Sequence, residues 1–122
     1  MSDARALLDG SREWEDASVT EMQRGRRRVA FEAARHAAEL AGKALLAHAT
    51  GEHPKSHLIA GAIAKAGLLP PAVDGRALHK LLAEFTLGTY GFDRPLSDRD
   101  VRDAQELAHL LRTHAETVVG KA

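Results

Sequence analysis

The stretch Val29–Ala49, VAFEAARHAAELAGKALLAHA, limits what this chain can fold into more than any other. Nine of its residues are Ala, Gly42 is another small one, and Phe31, Leu40, Leu45 and Leu46 supply the bulk. Ala is the best helix former, so local propensity and apolar pattern agree. Positions 30, 34, 37, 41, 44 and 48 form one stripe at helical spacing. Positions 31, 38 and 45 widen it on one side, and 33, 40 and 47 on the other. A helix that is apolar around most of its girth is expected at the centre of a fold, covered on several sides. Its small side chains let neighbouring helices approach to the short end of the usual range.

The rest of the chain supports a helical fold. Only five of the 122 residues are aromatic, so the core is made of Ala, Leu and Val, which suits packed helices better than a sheet sandwich. A first helix is expected over residues 3–23, with Ala4, Leu7, Leu8, Trp14, Ala17 and Met22 as a thin apolar stripe and Trp14 as a core plug. Gly25 marks a break. The central helix runs to about Thr50 and ends at Gly51. A loop, GEHPKSH, precedes a short helix over 57–67, for which Ser56 is a possible cap. Gly67 and Pro70–Pro71 end that helix. Asp74 caps a fourth helix reaching about Leu87, with Leu78, Leu81, Leu82 and Phe85 apolar. Residues 88–95 read as a loop in which Tyr90 and Phe92 lie over helix ends. Ser97 and Asp100 resemble a capping box. The last helix runs to about Val119, with Val101, Ala104, Ala108, Leu111, Ala115 and Val118 as its seam. Short loops and long seams imply a five-helix, up-and-down antiparallel bundle, all-α and a single domain over residues 1–122.

Charge and composition narrow the function classes. Lys and Arg balance Asp and Glu at 17 each, so any case for nucleic acid rests on a local patch rather than on net charge. With no Cys, disulfides and thiolate metal sites are excluded. No basic run followed by an apolar core opens the chain, and no apolar run approaches ~20 residues, so a cytoplasmic protein without membrane contact is expected. His48, His53 and His57 cluster, but their spacing matches no common zinc pattern, and no metal or other cofactor is expected.

The local patch is Arg24–Gly25–Arg26–Arg27–Arg28, with four Arg in five residues. Cations at a helix N-terminus cost ~0.3–1 kcal/mol each. Either acids such as Glu21 and Glu32 offset that cost in a solvated turn, or the cluster meets phosphate. Arg26, Arg27, Arg28 and Arg35 are the candidate phosphate or nucleotide contacts. Arg35 and His36 lie beside the apolar stripe, where they could line a groove. Glu39 and Lys43 form an i,i+4 ion pair in the favourable order.

The run from Ala30 through Glu39 and Lys43–Ala44–Leu45–Leu46 resembles the second helix of the HEPN domain family. The His57–Leu58 step resembles the start of that family's third helix. Gly88–Thr89–Tyr90–Gly91 falls where members carry Arg-Tyr-Pro or Arg-Tyr-Gly, with Thr89 in place of the Arg. The resemblance implies a helical, often homodimeric protein, commonly encoded with a minimal nucleotidyltransferase partner in what can be a toxin–antitoxin module. It also implies nucleotide or RNA contact. Toxic members are metal-independent ribonucleases with an Arg-x₄₋₆-His motif, in which His moves the proton and Arg holds phosphate charge. Arg102 and His109 are the literal match here. They lie seven residues apart on one helix, ~10 Å along its axis, opposite the apolar seam. Three readings follow: a HEPN-type binding protein, a ribonuclease using Arg102 and His109, and a structural assembly bundle without ligand.

Overall fold

A computed structural model describes residues 3–52, 59–91 and 96–120, with side chains 84–91 left aside. Five helices follow in order: α1 (Asp3–Gln23), α2 (Arg27–Thr50), α3 (Ala60–Lys65), α4 (Gly75–Gly91) and α5 (Asp98–Gly120). The fold is an all-α five-helix bundle. α2 is central and packs against each of the other four helices. Its Ala30, Ala34, Ala37, Ala38, Ala41 and Ala44 are sealed from solvent.

The turns between helices are chemically specified. Gly25 has φ +75°, and the Arg26 N–H reaches back to the Glu21 carbonyl at 2.9 Å, a Schellman closure that ends α1. Gly67 (φ +72°) ends α3 the same way, with the Leu68 N–H on the Ile63 carbonyl. Gly51 closes α2 with its N–H on the Ala47 carbonyl. At the start of α5 the Ser97 hydroxyl accepts from the Asp100 N–H at 3.1 Å. The Asp100 carboxylate accepts from the Ser97 N–H at 2.8 Å, so the expected capping box is formed reciprocally.

The α1–α2 contact is closer than side-chain packing alone. The buried Ser11 and Ser18 hydroxyls each donate to a carbonyl of α2, at Ala37 and Ala30, both at 2.7 Å. Each pair of residues is separated by one heptad, and the pairing runs antiparallel. Ser18 also accepts from Gln105 Nε2 of α5 at 3.0 Å, so one hydroxyl joins three helices. On α5, residues 105, 109 and 116 meet residues 18, 15 and 12 of α1 in descending order. α5 is therefore antiparallel to α1 and runs parallel to α2.

Several expectations change. Trp14 is not a core plug: it is 42% exposed, because α1 turns its Ala4, Leu8, Ser11 and Ser18 side inward. α2 starts two residues earlier than Val29, which puts Arg27 and Arg28 inside its first turn. α4 continues through Gly88–Thr89–Tyr90–Gly91, since a helix with its neighbours in place tolerates two Gly at ~1 kcal/mol each. α3 is described from Ala60 onward. Ser56, His53, His57, Leu58 and Phe92 lie outside the described residues, as do the side chains of Phe85 and Tyr90. The α5 seam is as expected except that Val119, not Val118, is its last buried member.

The Ala-lined centre is sealed from solvent, and a Cβ built on Gly42 within it would lie 2.5 Å from Ile59. Ala41→Leu is expected to cost ~1–3 kcal/mol by overpacking. Ser18→Ala is expected to cost ~1–2 kcal/mol, because Gln105 loses an acceptor in a partly buried setting. Urea unfolding of both variants, followed by circular dichroism, measures these losses.

Candidate functional site

The basic cluster forms the tip of the α1–α2 hairpin. Arg24 pairs with Glu21 at 3.2 Å, Arg26 approaches the same carboxylate at 3.6 Å, and Arg27 donates to Asp98 at 2.5 Å. These guanidinium side chains are each more than half exposed. The Arg27 hydrogen bond, and then its charge, hold the Asp98 carboxyl below its ordinary range. α2 begins with no acid in its first turn and no side-chain cap, so its first N–H groups and the arginines share one end of the bundle.

The Arg27–Asp98 pair brings the start of α5 to this tip. Arg102 lies one turn along α5 from Asp98 and adds to the positive field on that carboxylate. Arg99 stands nearby and pairs loosely with Asp103 at 3.9 Å. The hairpin arginines and Arg102, unrelated in sequence, thus lie around one corner of the fold.

His109 belongs to a different group. Its Nδ1–H donates to Glu15 Oε1 at 2.7 Å, across the α1–α5 contact. Arg112 donates to the other Glu15 oxygen and to Glu116, and Arg12 donates to Glu116 at 2.9 Å. Burial would raise the Glu15 carboxyl, but hydrogen bonds from Arg112 and His109, with their charges, overcome it and hold the group below its ordinary value. The Arg112 guanidinium is raised in turn, chiefly by the Glu15 hydrogen bond. Glu15, Arg112, Glu116 and Arg12 were not readable as a set. Only Glu15, at helical spacing from Ser11 and Ser18, hints at a place on the inner side of α1.

Arg35 departs most from expectation. Its side chain is wholly buried and held between Glu32 at 3.1 Å and Glu39 at 3.2 Å, so it is not open to a phosphate. Glu39 also binds Lys43 at 3.0 Å. The Glu39–Lys43 pair expected from sequence is part of a ladder of alternating charge, Glu32–Arg35–Glu39–Lys43, in which Arg35, Glu39 and Lys43 are buried and Glu32 is partly exposed. Arg35 Nη2 also donates to His36 Nε2 at 3.1 Å, and the His36 ring stacks on Trp14 with centroids 4.8 Å apart. Glu32, expected to neutralise the hairpin arginines, is committed to Arg35.

The family model of the HEPN domain matches residues 4–118. The chain belongs to the HEPN domain family. No curated protein and no solved structure matches it. Membership connects the chain to the nucleotide- and RNA-related roles of HEPN proteins. Among the described residues no helix is long and apolar enough to cross a membrane, and no group of three His, Asp or Glu side chains could hold a metal ion.

The Glu15 network gives an acid-dependent signature. A carboxyl depressed by folding contributes stability above its unfolded value of ~4.3, and loses it as pH falls through the lower folded value. Glu15→Gln is expected to be ~1–2 kcal/mol less stable than wild type at pH 7. That difference should shrink steadily below about pH 4. Paired urea titrations at pH 7 and pH 3.5 read it directly.

Proposed function

We propose that this HEPN protein is a binding module, a homodimer that partners a minimal nucleotidyltransferase and touches RNA or nucleotide phosphate at the α1–α2 tip. The observation that carries the reading is the convergence of Arg24, Arg26, Arg27 and Arg28 with Arg102 at one corner. Among the described ion pairs, Arg24 and Arg26 share the Glu21 carboxylate and Arg27 meets Asp98, each with its guanidinium more than half exposed. Exposed guanidinium groups at a helix start that lacks a side-chain cap and a first-turn acid suit a phosphodiester. Arg35 is left out because it is enclosed. Arg102 enters as a further phosphate contact rather than as a catalytic group.

The ribonuclease alternative requires Arg102 and His109 to act on one phosphate. Within one chain they are two helical turns apart; His109 is hydrogen-bonded to Glu15 across the α1–α5 contact, whereas the charge of Arg102 acts on Asp98 at the hairpin corner. No distance in the structure favours that reading over binding. A bundle serving assembly alone would have no need of the arginine corner.

Filter retention of single-stranded RNA and of ATP decides among these. Replacing Arg26, Arg27 and Arg28 together with Ala should weaken RNA retention more than about tenfold and lower the salt slope by ~2, as expected for three lost single-strand phosphate contacts. His109→Ala should bind like wild type, and the RNA should be recovered intact. Equal or salt-insensitive retention by wild type and the triple variant would sink phosphate contact. Cleavage abolished by His109→Ala would establish the ribonuclease instead. Co-purification from the native host tests the nucleotidyltransferase partner.

A further inference from the structure

One face of the hairpin pairs an apolar strip with a cavity. Residues 3, 7, 10, 14, 17 and 21 of α1 share a stripe at i, i+3/i+4 spacing, and residues 29, 36 and 40 of α2 lie alongside it. The Trp14–His36 stack marks the middle of this face, and a Cβ on Gly10 would lie 3.1 Å from Leu40, so the two stripes adjoin. Toward the open end of the hairpin, Asp3, Ala6, Leu7 and Leu40 line an open cavity of about 290 Å³. Toward the closed end, Val29 stands 49% exposed beside Arg26, whose side chain is 64% exposed.

These features are spaced evenly about the stack. Ala6 and Leu7 lie seven to eight residues before Trp14, about 11 Å along α1. Val29 lies seven residues before His36, about 10 Å along α2 in the opposite direction, since the helices are antiparallel. Asp3 and Arg26 are farther out, about 16 Å and 15 Å from the middle by the same rise. A two-fold axis through the Trp14–His36 stack therefore carries Val29 of each copy onto the cavity of the other. It also carries the Arg26 cation onto the Asp3 carboxylate. We infer that this face docks a second copy of the chain, with Trp14 at the centre, Val29 as knob, the Asp3–Ala6–Leu7–Leu40 cavity as hole, and Arg26–Asp3 pairs closing both ends. A self-complementary arrangement of this kind is what an isologous interface requires, and an exposed Trp at its centre is the residue type that dominates such contacts. The inference rests on the homodimer part of the proposed function and specifies its surface.

The absence of Cys makes the test clean, because every introduced thiol is unique. Full-length Ala6→Cys and Val29→Cys, mixed and mildly oxidised, should form a covalent dimer. Ala6→Cys mixed with Val19→Cys should not, because Val19, also exposed, is about 140° around α1 from Trp14. In sedimentation experiments, Trp14→Glu and Val29→Glu should each raise the dimer Kd more than about tenfold, while Val19→Glu leaves it unchanged. The replaced side chains are exposed, so circular dichroism should show helix content retained. A dimer that survives both substitutions, or cross-links equally through Val19, overturns this surface and leaves the homodimer standing. Loss of the dimer in Trp14→Glu without an Ala6–Val29 cross-link overturns the register. A wild-type chain that sediments as a monomer at all concentrations overturns the surface and the homodimer together, while RNA retention by an Arg27→Ala/Arg28→Ala double variant, which leaves Arg26 in place, is an independent result.

Discussion

The close approach of α1 and α2 is the constraint on which the rest of the bundle depends. It exists because α2 presents a stripe of Ala, and because the inward side of α1 is mostly small, with Ala4, Ser11 and Ser18 beside Leu8. A hydroxyl can reach a carbonyl that is already bonded within its own helix only when the two backbones are this near. The two Ser–carbonyl bonds then fix the rotation of α1 about its axis. That rotation turns Trp14 outward and Glu15 toward α5, so the aromatic stack and the α1–α5 ion network both follow from the same small-residue contact.

Charge is used in two ways around this core. Along α2 the alternating ladder from Glu32 to Lys43 gives each buried ion an opposite neighbour one turn away. Such an arrangement contributes modestly to net stability but heavily penalises loss of any one member. Between α1 and α5, Glu15 and Glu116 divide Arg112 between them, and Arg12 and His109 complete the chain. At the hairpin tip, among the described ion pairs, Arg24, Arg26 and Arg27 share two carboxylates, Glu21 and Asp98. A near-neutral protein thus concentrates a local positive field without any excess in its composition.

Periodicity and turn chemistry made most of the fold readable in advance. The Ala stripe of residues 30–44, Gly25, Gly51 and Gly67 as stops, Asp74, and the Ser97–Asp100 box each encode a local geometry that depends on few distant residues. What stayed hidden depended on tertiary context. Ser11 and Ser18 score as polar, so α1 was turned toward Trp14 in the sequence reading. Arg35 and Lys43 carry charge, so nothing local marked them as buried. Gly88 looks like a breaker, yet α4 passes through it and reaches Gly91. The candidate site was legible only in its hairpin half. The placing of Arg102 beside that half, and of His109 with Glu15, is set by how α5 docks, which no spacing along α5 reveals.

Ser18 shows what joining three helices at one atom entails. Its bond to the Ala30 carbonyl spans 12 residues of chain, whereas the bond it receives from Gln105 spans 87. Closing the longer loop costs about 2 kcal/mol more in chain entropy. The hairpin can therefore assemble as a local event, and the docking of α5 must wait for that cost to be met by the whole α5 seam. The hydroxyl of Ser18 is the point at which a short-range and a long-range part of the chain become a single cooperative structure.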